Sequence, residues 1–90
     1  MQLEKLISVN SNFQLQWEKA QDCYVLLYPE GMVQLSQSAG EIMYLCDQKN
    51  TIHTIVQLLE DKFNVVGLQN DVVEFVTDAM QRKWLVYDGE

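Results

Sequence analysis

The chain has 90 residues, of which 48% are hydrophobic, so it is long and apolar enough to form one small domain with a core. Thirteen acidic residues against six basic ones give a formal net charge of −7. Because affinity for nucleic acids and anionic lipids depends on Lys and Arg, this charge argues against both as partners. It favours a basic or neutral partner, although acidity alone also keeps a small domain soluble.

The first twelve residues are expected to lie outside the domain. They are of mixed character and end in the polar turn 10–12, so we predict a loose arm over residues 1–12 and a single domain over residues 13–90. They also lack the basic and apolar regions of a signal peptide, and no apolar run approaches a membrane span. We therefore expect a cytoplasmic protein that makes no membrane contact.

Three strands are predicted next. Residues 13–18 alternate between apolar and polar, which indicates a strand with one buried face. Cys23–Tyr28 is apolar throughout and is typical of a central strand. The turn 29–31, with its Pro and Gly, leads into a third strand over residues 32–35. The pattern predicts an antiparallel meander whose first and third strands are edges.

Three helices are predicted after the sheet. Ser38 and Glu41 have the spacing of a capping box that opens the first helix, and residues 47–50 form a polar turn after it. Thr51 is expected to cap the second helix, and the third spans residues 69–83. Residues 84–87 are predicted to form a short extended tail that packs on the core. The fold class is therefore α+β, a winged-helix-like layout in which a three-stranded antiparallel sheet precedes a three-helix bundle.

No pattern for catalysis, metal binding or a cofactor is present. Cys23 and Cys46 lie in apolar runs, which favours buried, reduced thiols, and His53 is expected at the surface or near a helix cap. The three predicted helices have a layout of the helix-turn-helix type, which occurs in DNA-binding proteins. However, the third helix carries mainly acidic charge, which argues against contacts with DNA phosphates.

The third strand is the most informative element. Residues 32–35 contain no charge, although proteins usually protect exposed strand edges with Lys, Pro or a bulge. One interpretation is that an extended peptide pairs with this edge. The other is that the C-terminal tail, or a second copy of the chain in a homodimer, covers it. The residues alone leave these alternatives open.

The run LLYPEGMVQLSQSAGEI, residues 26–42, resembles the signature of the PqqD family, and weaker similarity extends from about residue 13 to residue 87. The resemblance implies a non-enzymatic peptide chaperone. Such a protein binds the ribosomal precursor peptide PqqA by strand addition and presents it to the radical SAM enzyme PqqE in pyrroloquinoline quinone biosynthesis. The remaining alternatives are an acidic protein-docking or dimerisation domain and a recognition element of a sister modified-peptide pathway.

The resemblance also implies where the peptide binds, which is between the third strand and the third helix. Carried over to this chain, the strand residues are Met32, Val33, Gln34 and Leu35. The helix residues are Asp71, Val72, Phe75, Val76, Asp78, Ala79 and Arg82. Proline at Val33 or Leu35 is expected to remove a backbone donor from this edge.

Overall fold

The computed structural model describes residues 2–88, which form two three-stranded antiparallel sheets and three helices. The elements in chain order are β1 (Leu6–Val9), β2 (Gln14–Glu18), β3 (Cys23–Tyr28), β4 (Gly31–Gln34), α1 (Gln37–Tyr44), β5 (Asp47–Thr51), α2 (Ile52–Phe63), α3 (Gln69–Gln81) and β6 (Leu85–Tyr87). The α+β class is confirmed, whereas the analogy to a winged helix is not. None of the helices in the described part of the chain has the length and apolarity needed to cross a bilayer.

The front sheet contains β2, β3 and β4 in that order, and the prediction for it is confirmed. Every residue of β2 pairs with β3, from Gln14 opposite Leu27 to Glu18 opposite Cys23. The turn after β3 places Gly31 opposite Tyr28 and returns the chain as β4. The uniformly apolar β3 is central, as its composition predicted, and β4 lies at one edge.

The back sheet was not predicted. Its order is β5-β1-β6, so β1 is its central strand. Ile7 in β1 is fully buried, and the prediction of a loose arm is therefore wrong for residues 6–9. The prediction of a polar turn over residues 47–50 is also wrong, because these residues belong to β5. A four-residue strand and a polar edge strand both carry too little hydrophobic periodicity to be recognised.

Two helix starts show how side chains set the boundaries. The hydroxyl of Ser36, rather than that of Ser38, caps α1 and accepts a hydrogen bond from the Ala39 N–H at 3.2 Å. The Thr51 hydroxyl caps α2 and accepts from the Thr54 N–H at 3.1 Å, as predicted. The predicted cap at Ser38 is wrong because the helical backbone already begins at Gln37.

One core joins both sheets to all three helices. Its fully buried members include Ile7 and Leu26 from the sheets and Ile52, Ile55, Val76 and Ala79 from α2 and α3. The apolar residues spaced along α2 and α3 pack into or against this core, with the exception of Phe63 at the end of α2, which is 45% exposed. The helices therefore share one apolar core with both sheets and do not form a separate bundle.

Gly40 allows α1 to approach the front sheet closely. A Cβ at this position would lie 2.9 Å from Cδ2 and 3.2 Å from Cβ of Tyr24. The Tyr24 ring in turn contacts the rings of Trp17 and Tyr44, with centroid distances of 5.0 and 5.7 Å. Alanine has the higher helix propensity, but here it would require the ring to move.

We therefore predict that Gly40→Ala destabilises the protein. Overpacking costs about 1–3 kcal/mol, which exceeds the gain in helix propensity of up to about 1 kcal/mol, so we expect a net loss of about 1 kcal/mol. Urea unfolding measures this loss. Gln37→Ala, at an exposed position of the same helix, is the control and should change stability little. A more stable Gly40→Ala variant would contradict the close approach.

The buried thiol of Cys46 is predicted to make the free energy of unfolding decrease as the pH rises through the alkaline range. Burial, aided by the charge of Asp47, raises the pKa of the Cys46 thiol from 9.0 to about 12, and the thiol donates a hydrogen bond to the Ile42 carbonyl at 3.2 Å. The unfolded state loses this proton near pH 9 while the folded state keeps it, so stability falls as pH rises through this range. At pH 10 the expected loss is about 1.4 kcal/mol.

The measurement is the free energy of unfolding at about pH 8 and pH 10 for the protein and for Cys46→Ala. Other titrating groups contribute to both proteins, so the difference between the two pH dependences isolates Cys46. Equal decreases in the two proteins would show that the thiol does not contribute.

Candidate functional site

The outer edge of β4 offers backbone groups for pairing. The Leu35 N–H donates to the Tyr24 carbonyl at 3.0 Å, which makes these directly opposite residues a hydrogen-bonded pair. Because such pairs alternate along an antiparallel ladder, Val33 also directs its N–H towards β3, while Met32 and Gln34 direct theirs outward. The expectation that proline at Val33 or Leu35 removes an edge donor is therefore wrong, since those donors belong to the sheet itself.

The chain's own C-terminal tail does not cover this edge. Strand β6 pairs with β1 in the back sheet, and no strand within residues 2–88 pairs with the outer side of β4. Met32 is 49% exposed and Gln34 is also exposed. The strand Gly31–Gln34 contains no charge, proline or bulge, so the usual protection of a strand edge is missing here.

A largely apolar cavity begins where β4 ends. It has a volume of about 390 Å³, and Ser36, the second residue after β4, lies at its rim. Four segments form its wall, namely α1, the end of α2, the loop 64–68 and the start of α3. The lining residues are Ser36, Ser38, Ala39, Glu41, Ile42, Leu59, Phe63, Val65, Leu68, Asp71, Val72 and Phe75.

The predicted helix residues divide into three groups. Asp71, Val72 and Phe75 line the cavity, and Asp71 and Phe75 continue with Glu74 and Asp78 into a shallow surface along α3. We call this surface, formed by Asp71, Glu74, Phe75 and Asp78, the acidic face. Its three carboxylates give this side of α3 a negative potential.

The other predicted helix residues lie elsewhere. Val76 and Ala79 are fully buried in the core, where they support the helix rather than offer a contact surface. The Arg82 guanidinium pairs with Asp78 at 2.8 Å and stacks on Trp84, with 5.4 Å between the charged carbon and the ring centroid. Arg82 therefore marks the end of the acidic face.

The predicted strand residues do not line the cavity. Leu35 is 5% exposed and belongs to the core, while residues 32–34 lie before the cavity along the chain. The outer edge of β4 and the residues of α3 that line the cavity are thus neighbouring surfaces connected through Ser36, rather than two sides of one cavity.

The residues of the α2–α3 connection were missed by sequence reasoning. Val65 and Leu68 line the cavity together with Phe63 at the end of α2, although the sequence assigned none of these three residues a role in the site. The Glu60 carboxylate accepts a hydrogen bond from the Leu68 N–H at 3.0 Å, and Asn64 has the left-handed conformation that ends α2. The signal available in the sequence was an apolar pair directly after the helix, Val65 and Val66, and the structure leaves both side chains exposed.

One carboxylate that lines the cavity, that of Glu41, belongs to an ion pair. The Lys62 ammonium lies 2.7 Å from the Glu41 carboxylate and 5.5 Å from the ring centroid of Phe63. This contact joins α1 to the end of α2 across a partly exposed surface, so its contribution to stability is small. It does bring one carboxylate to the rim.

His53 and Cys46 do not line the cavity, whereas the Cys23 sulfur accepts a hydrogen bond from the Gln34 side chain of β4 at 3.4 Å. The His53 ring is exposed, with Nδ1 2.9 Å from the Glu4 carboxylate, so its predicted surface position is confirmed. Cys46 is buried and Cys23 half-buried, and both are free thiols. Within residues 2–88 no group of His, Cys, Asp and Glu could hold a metal ion.

Comparison with known proteins identifies the family. The family described as coenzyme PQQ synthesis protein D (PqqD) matches residues 23–85. A protein of Methylococcus capsulatus named PqqA binding protein is 38% identical over 85 residues, covering 94% of this chain and 91% of the relative. One of the same name from Acinetobacter baylyi is 46% identical over 77 residues, covering 84% and 78%. This chain belongs to the PqqD family.

Solved structures agree with the fold of the family. The solution structure of the PqqD truncation of Methylobacterium extorquens PqqCD, described as a stand-alone RiPP recognition element, superposes with a TM-score of 0.78. It is 20% identical, and the match covers 96% of this chain and 94% of that one. The heterocyclase TruD gives a TM-score of 0.69 at 15% identity, with 91% of this chain matching 11% of the larger protein.

Proposed function

We propose that this protein is a non-catalytic recognition protein that binds a ribosomal precursor peptide of the PqqA type by strand addition. The outer edge of β4 carries the proposal, because it is uncharged, exposed and unpaired within the described residues. An extended peptide satisfies such an edge through backbone hydrogen bonds. The names of the relatives, PqqA binding protein, support PqqA as the class of peptide.

The bound peptide pairs with the outward backbone groups of Met32 and Gln34 and continues past Ser36 towards the cavity. Backbone pairing supplies affinity with little sequence selectivity, whereas side-chain pockets supply the selectivity. A peptide that becomes ordered on binding loses conformational entropy, so we expect a moderate affinity. Moderate affinity suits a protein that must later release its peptide.

The further step in this proposal is delivery in the cytoplasm to the radical SAM enzyme PqqE. Strand addition supports this step, because it fixes one segment of the peptide along β4 and leaves the remainder extended and accessible to a second protein. On this interpretation the protein serves quinone biosynthesis by holding the substrate, and the chemistry belongs to the enzyme.

The test is a titration of isotope-labelled protein with a synthetic PqqA-type precursor peptide, followed by the backbone amide signals. We expect shifts concentrated at residues 31–36 and along the exposed side of α3, together with slowed amide exchange at Met32 and Gln34. Unchanged signals at β4 with a peptide that nevertheless binds would contradict strand addition.

The same edge is equally able to pair with a second copy of the chain. Sedimentation of the free protein over a range of concentrations distinguishes this case. If β4 forms a homodimer, the peptide should convert the dimer into a monomer–peptide complex, since both compete for the same backbone groups.

A further inference from the structure

The cavity beside Ser36 combines an apolar floor with an acidic rim. Ile42, Leu59 and Val72 form the floor, and each is less than a tenth exposed. Two carboxylates also line the cavity, that of Glu41 from α1 and that of Asp71 from α3. Glu41 is paired with Lys62, whereas Asp71 takes part in none of the ion pairs formed by residues 2–88. The site is therefore apolar inside and negative at its mouth.

The negative charge around the cavity limits which kinds of molecule can bind in it. The cavity opens onto the acidic face, where the only paired carboxylate is Asp78. A second copy of this chain would place like charges against each other, which costs affinity, and anionic lipid would be repelled in the same way. A segment that carries an apolar side chain next to Lys or Arg is complementary to both parts of the surface.

The geometry of the sheet gives the direction of the bound segment. Both pairings in the front sheet are antiparallel, and a strand added in the same sense runs opposite to β4. The cavity lies beyond the C-terminal end of β4, at Ser36. The part of the peptide that reaches the cavity then precedes the part that pairs with β4.

Building on the proposed function, we propose that this cavity is the selectivity pocket for the peptide. It holds one apolar side chain, and Asp71 and the acidic face bind a Lys or Arg that precedes this side chain. The recognised segment thus reads, from its N-terminus, basic residue, apolar anchor, extended strand. The selectivity resides in α1, α3 and the loop 64–68, while β4 contributes affinity.

The first test is to measure intermolecular proton contacts between methyl-labelled protein and an unlabelled PqqA-type precursor peptide. We expect the methyl groups of Ile42, Leu59 and Val72 to contact one apolar peptide residue. That residue should lie N-terminal to those in contact with Met32 and Gln34. Contacts at β4 without contacts at these methyl groups, or with the reverse order, would overturn this inference and leave the proposed function intact. Absence of contacts at β4 in a bound complex would overturn the proposed function itself.

The second test addresses charge. Asp71→Asn should weaken binding of the precursor peptide about threefold or more at low salt, as expected for loss of one partly exposed charge pair. Asp61→Asn removes the same charge from an exposed position of α2 outside the cavity and should leave affinity unchanged. With a peptide whose basic residue is replaced by Gln, Asp71→Asn should have no further effect. Equal losses from both variants would show a general charge effect and overturn the role of Asp71.

Discussion

Proline at Gln34 is expected to abolish most of the peptide affinity while leaving the domain folded. The Gln34 N–H points away from β3, so its removal breaks no hydrogen bond of the sheet. Proline is tolerated where the donor of an edge strand faces solvent. The bound peptide loses one backbone hydrogen bond and also meets the pyrrolidine ring, so we expect a loss of about tenfold to a hundredfold.

The matched control is Gln34→Ala. Both variants remove the side chain, including the amide that donates to the Cys23 sulfur at 3.4 Å, but only proline removes the backbone donor. Titration calorimetry gives the two affinities, and amide spectra report whether each variant is folded. Met32→Pro against Met32→Ala repeats the comparison at the other outward position. If each proline variant is folded and binds as its alanine counterpart does, the peptide does not add to β4.

Proline at Val33 is expected to destabilise the fold, in contrast to proline at Gln34, which is expected to weaken only peptide binding. Its N–H is directed towards β3, so the substitution removes a hydrogen bond within the sheet and should destabilise the domain itself. The alternation along a single four-residue strand thus separates loss of binding from loss of folding. The sequence does not reveal this alternation, because it depends on which residue of β3 lies opposite each residue of β4.

The front sheet was predictable because its signals are local. An apolar run with a Pro–Gly turn after it and alternation before it specify a central strand between two edges. The cap at Thr51 was predictable for the same reason. The cap of α1 was not, because Ser36 and Ser38 both precede a helical pattern, and only the backbone conformation decides between them.

The remaining features depend on contacts between distant segments. The back sheet unites residues near both ends of the chain with β5, and none of its strands has more than five residues. The cavity draws its wall from α1, α2, α3 and a loop, so no single stretch of sequence contains it. The resemblance to the family predicted α3 as part of the site, but only the burial in the structure distinguishes the partly exposed Phe75 from the fully buried Val76.

Ile7→Ala is expected to have the largest effect on stability among substitutions in the N-terminal segment. Ile7 is fully buried in the central strand of the back sheet and belongs to the common core. Replacing a buried Ile by Ala typically costs about 2–5 kcal/mol, which is a large part of the total for a domain of this size. Leu6→Ala is the neighbouring control; its side chain is 39% exposed, and we expect a loss below about 1 kcal/mol.

The consequence extends to the proposed binding site because β1 connects α2 and α3, two of the three helices that line the cavity. On one side β1 pairs with β5, which leads directly into α2, and on the other it pairs with β6, which follows α3. Loosening β1 therefore frees the start of α2 and the end of α3 together. We expect Ile7→Ala, under conditions where it is still folded, to show faster amide exchange in β5, β6 and α3 and weaker peptide binding, while β2 and β3 keep their protection. Equal unfolding free energies for Ile7→Ala and Leu6→Ala would mean that the N-terminal segment is only an arm.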